Sequence, residues 1–103
     1  MSERRNDMNN HDDEGFRLLV NAILSLESEQ ECEAFLEDLM TRKEIADMSQ
    51  RIMVAERLSK RAVYTKIAEE TGASSATISR VNRALQYGSG GYNIVLSRNE
   101  TKS

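Results

Sequence analysis

The stretch YTKIAEETGASSATISRVNRALQYG, residues 64–88, decides how this chain folds. Apolar residues recur in it at helical spacing on both sides of one glycine, Gly72. Two helices that cross steeply need a small residue where the second passes over the first. They also need a turn residue able to take positive φ. With Tyr64 as the first place of a twenty-residue unit, Ala68 falls fifth, as the small crossing residue, behind an inward Ile67. Gly72 falls ninth, in the turn. Ile78 and Val81 fall fifteenth and eighteenth, on the inward face of the second helix, and Leu85 extends that face. The spacing predicts a helix-turn-helix over about residues 63–87.

Left outside are Ser75, Ala76, Thr77, Ser79, Arg80 and Arg83, with no acid and no large apolar side chain among them. Hydroxyls, a methyl group and guanidiniums are groups that meet base edges and phosphates. Ser75, Ala76 and Thr77, at the start of the second helix, are the candidates for base edges. Arg61, Lys66, Arg80 and Arg83 are the candidates for phosphate or guanine. Ser74 stands where the helix N-cap is expected, and the backbone N–H groups behind it can take a phosphate.

Working outward, "TRKE" (Thr41–Glu44) and "SEQE" (Ser28–Glu31) are both capping-box signatures. The first predicts a helix to about Lys60, with Ile45, Met48, Ile52, Ala55 and Leu58 on one stripe. The second predicts a helix with Cys32, Phe35, Leu36, Leu39 and Met40 on one stripe, Cys32 being a buried core thiol. Between Ser59 and Val63 no glycine marks a turn, and the following helix lacks a clear capping side chain. A first helix is expected from Asp12 or Asp13, where acids suit its N-terminal dipole. Eight of the eleven residues from Phe16 to Leu26 are apolar, more than one stripe, so this helix must be covered on more than one side. In so short a chain a second subunit is the natural cover.

Residues 1–11 read as a flexible tail holding a solvated His11. "GSGG" (Gly88–Gly91) breaks the fifth helix, a short amphipathic piece holds Tyr92, Val95 and Leu96, and residues 99–103 are expected to fray. The whole is expected to be all-α, a single helical domain over residues 12–98.

Composition narrows the function classes. No apolar run approaches the roughly 18 residues a membrane span needs, and the first ten residues lack a signal peptide's apolar core. One cysteine cannot form an internal disulfide, which fits a reducing cytoplasm. The net charge of −3 conceals −8 over residues 1–50 and +5 over residues 51–103, so the second half favours an anionic partner. With one histidine, in the tail, no Ser/His/Asp or Cys/His set can form. No glycine-rich phosphate loop follows a strand, and no metal cluster has workable spacing. Neither an enzyme nor a cofactor or metal site is expected.

"QRIMVAERL" followed by "YTKIAEETGASSATISRVNRALQYG" resembles the Trp repressor superfamily, and within it the YerC/YecD-type group of Trp-repressor-like proteins. The resemblance spans about Asn21 to Leu96 and implies an all-helical, intertwined homodimer that reads double-stranded DNA at a roughly palindromic site. It also implies a ligand slot between the central and reading helices. There Arg51 and Arg80 match the arginines that flank tryptophan, and Thr41 matches a threonine whose main chain helps hold it. Two positions depart from the pattern. Val81 stands where the tryptophan-binding members have glycine, and Ala84 replaces a small polar residue that grips the ligand's amino group. The connection between the central helix and the reading head is also one residue shorter than in those members. The expectation is a DNA-binding regulator of repressor type that works without L-tryptophan. Its rivals are a helical dimeric protein-interaction module and a regulator switched by an unidentified small ligand.

Overall fold

The computed structural model describes residues 10–102; the polar segment 1–9, read above as tail, lies outside the described residues. Those residues form six α-helices: α1 Asn10–Leu24, α2 Glu29–Leu39, α3 Arg42–Ser59, α4 Tyr64–Thr71, α5 Ser75–Tyr87 and α6 Gly91–Lys102. They belong to two units, residues 1–40 and 41–103.

The first unit holds α1 and α2. α1 begins at Asn10, two residues before the expected start, so the helix takes in the last part of the expected tail. It ends before Leu26 because the chain tightens: the Ser25 N–H and hydroxyl both donate to the Ala22 carbonyl (3.2 and 2.7 Å), and the Leu26 N–H donates to that of Ile23. Ser28 caps α2 as expected, its Oγ accepting the Glu31 N–H at 3.1 Å. The reciprocal half of the capping box fails, because the Glu31 carboxylate accepts the Glu27 N–H instead, at 2.9 Å. Among the described residues of this unit none is buried: Leu24 is 75% exposed, and Cys32 is half-buried rather than a core thiol. Two short helices do not suffice to enclose the side chains between them.

In the second unit the capping box at Thr41 is complete, with the Glu44 N–H donating to Thr41 Oγ1 and the Thr41 N–H to Glu44 Oε1. All the buried residues in the described chain lie here: Val54 and Ala55 of α3, Ile67 of α4, Ala73 of the following turn, and Ile78 and Val81 of α5. Leu58, Ala62, Ala68, Leu85, Tyr92 and Leu96 pack around them, half-buried. The expected α3 stripe holds only at its C-terminal end. Ala55 and Leu58 turn inward with Val54, whereas Met48 and Ile52 stay exposed; Ile52 borders an open groove beside α5 and α6 instead of entering the core.

The turn from α3 to α4 is made without glycine. The Arg61 N–H donates to the Leu58 carbonyl (2.9 Å) and the Ala62 N–H to that of Arg57 (3.1 Å), the paired bonds of a Schellman motif. Such a motif sets its first residue past the cap in the left-handed region, and Arg61 takes φ 64° there. At the other end, α6 runs on through the expected frayed residues to Lys102. The Asn93 side chain ties α6 to the Leu85 carbonyl of α5 at 3.3 Å, and Asn99 donates back to Val95 at 2.8 Å. The break before α6 requires glycine: a Cβ on Gly88 would lie 2.5 Å from the Ala84 carbonyl oxygen.

Candidate nucleic-acid interface

The second unit assembles the candidate site from α4, its turn and α5. Gly72 caps α4 with φ 75°, donating its N–H to the Ala68 carbonyl at 2.9 Å. Only glycine adopts that conformation without cost. Thr71 stiffens the turn from inside, its hydroxyl donating to the Ile67 carbonyl (2.7 Å) and accepting the Ala73 N–H (3.2 Å). From α3, Gln50 Nε2 donates to the Thr71 carbonyl at 3.2 Å. Arg57, also on α3, reaches Glu70 at 3.0 Å and Glu56 at 2.8 Å. Ala73 is buried beneath the turn, so Ser74 emerges at the surface as the cap of α5. Its Oγ accepts the Thr77 N–H and pairs with Thr77 Oγ1, each at 3.1 Å.

α5 then divides cleanly between its faces. Ile78 and Val81 enter the core, while Ser75, Ala76, Ser79, Arg80 and Arg83 are exposed and Thr77 is half-buried. Ala76, Arg80 and Arg83 recur at steps of four and three, so they share one outward stripe. One expectation about this face is corrected: Tyr87, four residues past Arg83 on the same stripe, is 79% exposed, a large side chain left outside. It escapes the count because α5 outlasts the twenty-residue unit. Lys66 is exposed on α4, and Arg61 is exposed in the turn before it. Tyr64, the first residue of α4, is also exposed. Neither it nor Tyr87 is singled out by spacing. Their signal is compositional: two of the chain's three tyrosines bracket the helix-turn-helix.

The residues matched to a tryptophan slot are differently placed. Val81 is 2% exposed and belongs to the core. The Thr41 main chain is committed locally, its N–H to Glu44 and its carbonyl to the Ile45 N–H. Arg51 donates to the Met48 sulfur at 3.7 Å and, among the described residues, pairs with no carboxylate. Ala84 lines an apolar groove of about 470 Å3 with Ile52, Tyr92, Val95 and the glycine-rich turn, to which Thr41, Arg51, Arg80 and Val81 contribute no wall.

Comparison with known proteins meets this geometry. The sequence model of the family described as Trp repressor protein matches residues 14–100. The chain is 50% identical over 80 residues to the uncharacterized protein YerC of Bacillus subtilis (strain 168), covering 78% of this chain and 77% of that one. A solved TrpR-like protein from Eubacterium eligens ATCC 27750 superposes with a TM-score of 0.81 at 48% identity, over 84% of this chain and 90% of its own. A proposed Trp repressor from Staphylococcus aureus superposes with a TM-score of 0.80 at 40% identity, over 97% and 96%.

Proposed function

This chain belongs to the Trp repressor family, and we propose that it is a sequence-specific DNA-binding transcription regulator acting as a homodimer in the cytoplasm. One observation carries the reading. The α5 stripe of Ala76, Arg80 and Arg83 is exposed and free of acids, while the opposite face of the same helix forms the core. A helix so held can enter the major groove by its N-terminal end, Ser75, Ala76 and Thr77 toward base edges and the arginines toward phosphate or guanine. Lys66 and Arg61 extend the phosphate contacts. The dimer is supported by apolar side chains that neither unit covers by itself, among them Leu18 and Leu24 of α1, Ile52 and Met53 of α3, and Val95 of α6. Twofold symmetry gives a roughly palindromic site with half-sites about one helical turn, ~34 Å, apart. Among the described residues no helix is long and apolar enough to cross a membrane.

A mobility-shift assay with mixed genomic fragments across a range of salt tests the reading. Selective retention of some fragments is expected. Absence of retention at low salt would instead favour a helical module that docks an acidic protein.

L-tryptophan is not the corepressor in this proposal, because the Val81 side chain occupies core space beside Arg80. Calorimetric titration should give no heat of binding at tens of micromolar L-tryptophan, and saturation in that range would overturn the exclusion.

Arg61 supplies a test with effects of opposite sign. A left-handed conformation costs a non-glycine residue roughly 1–2 kcal/mol, so Arg61→Gly should stabilise the fold by up to about 1 kcal/mol, less the entropy glycine loses on folding. The same change removes a guanidinium from the edge of the interface and should weaken DNA binding several-fold. Thermal melting and a binding isotherm on one preparation check both signs.

A further inference from the structure

The reading head is braced from behind by α3. Thr71 is the last residue of α4, where carbonyls lack intrahelical partners, and its carbonyl points back to accept the half-buried Gln50 side chain at 3.2 Å. The adjoining backbone passes close to the same amide: a Cβ on Gly72 would lie 3.9 Å from Gln50 Nε2. One helical turn back along α4 from the Thr71–Gly72 bend, Ile67 meets the α3 residues Val54 and Ala55 in the core. Beside the bend, Glu70 accepts from Arg57 Nε at 3.0 Å. Gln50, Val54 and Arg57 therefore fall at steps of four and three along α3, one face of that helix turned to α4 and the turn.

The two polar contacts differ in kind. The Arg57 pair is partly solvent-exposed, with side chains 29% and 41% accessible, so it is screened by salt and contributes little. The Gln50 bond is neutral, half-buried and made to a main-chain atom of the turn itself, so it fixes where the turn sits and survives high salt.

We propose that Gln50 is a positioning residue for DNA recognition: its amide, bonded to the Thr71 carbonyl, sets the angle at which α5 is presented, so sequence preference is built into the chain and needs no ligand to establish it. This rests on the DNA-binding reading above and extends it to a residue that touches no DNA. Gln50 is uncharged and half-buried, with its amide donated to the Thr71 carbonyl, so its loss removes no cationic group from the interface. It shifts the orientation of Ser75, Ala76 and Thr77 relative to the rest of the surface, and base readout depends on such angles where phosphate attraction does not.

Gln50→Glu tests this, because it is nearly isosteric and sets a carboxylate against the Thr71 carbonyl; Gln50→Ala is the second variant, removing the donor without adding a charge. Fragments selected with the wild-type protein are measured against random DNA of equal length, well below each variant's melting temperature. Both variants should lose the preference for selected over random DNA by about tenfold or more, with the salt slope on random DNA unchanged. Variants that melt lower yet keep the wild-type ratio would make Gln50 merely structural and overturn the proposal alone. A wild-type protein that shows no preference would overturn the DNA-binding reading, and this proposal with it.

Discussion

Val81→Gly should lower the unfolding free energy by roughly 3–4 kcal/mol, combining a large-to-small core change with glycine's cost inside a helix. Val81 is 2% exposed and shares the core with Val54, Ile67 and Ile78, so the lost methyl groups leave a void that helices pinned on both sides cannot close. In a chain of 103 residues a loss of that size should lower the melting temperature by more than about 10 °C. Thermal or urea unfolding of the two proteins measures it. A loss below about 1 kcal/mol would show that the residue lies against yielding space, and the case that it fills the ligand slot would fall with that result. The prediction also separates this chain from the tryptophan-binding pattern it resembles, in which glycine stands at this position. Here the space beside Arg80 is part of the fold's own stability.

The double variant Arg80→Ala, Arg83→Ala should behave in the opposite way. Both side chains are exposed on the outward stripe of α5 and hold none of the core, so stability should stay within about 0.5 kcal/mol. DNA affinity at moderate salt should fall on the order of 100-fold, from two contacts that typically contribute 1–3 kcal/mol each. The salt dependence should flatten by about two units if both meet phosphates, and by less if one reads a guanine. Titrations at several salt concentrations distinguish these. An unchanged affinity would remove α5 from the interface and leave the helix-turn-helix as a scaffold.

The helix-turn-helix was legible because its determinants are local. Gly72 at the turn, Ser74 at the cap and the inward Ile78 and Val81 each answer to a conformational or spacing rule that needs no knowledge of neighbours. The fate of apolar residues outside it was not, because burial depends on what arrives to cover them. Ile52 and Ala55 obey the same helical period, yet one is exposed and the other is in the core, since Ala55 packs among Val54, Ile67 and Ile78 while Ile52 borders an open groove beside α5 and α6. Cys32 departs from expectation in the same way: its stripe exists, but among the described residues the first unit buries no side chain. Gln50 was invisible for a different reason. Nothing in its sequence surroundings marks a bond to a carbonyl twenty-one residues away, made only once two helices cross. The Arg61 turn carries no signal in the sequence, because the usual marker, glycine, is absent and an arginine bears the strain.

The bare flanks of α1 and α2 also bear on how much of this protein must be made. α1 has 15 residues and α2 has 11, and with no buried side chain of their own among those described they sit at the length where an isolated helix is marginal in water. In the proposed dimer their order comes from association, so it is set by mass action and rises with protomer concentration. Expression level then becomes a control in its own right: below the dissociation constant a cell would hold reading heads without the frame that spaces two of them on DNA.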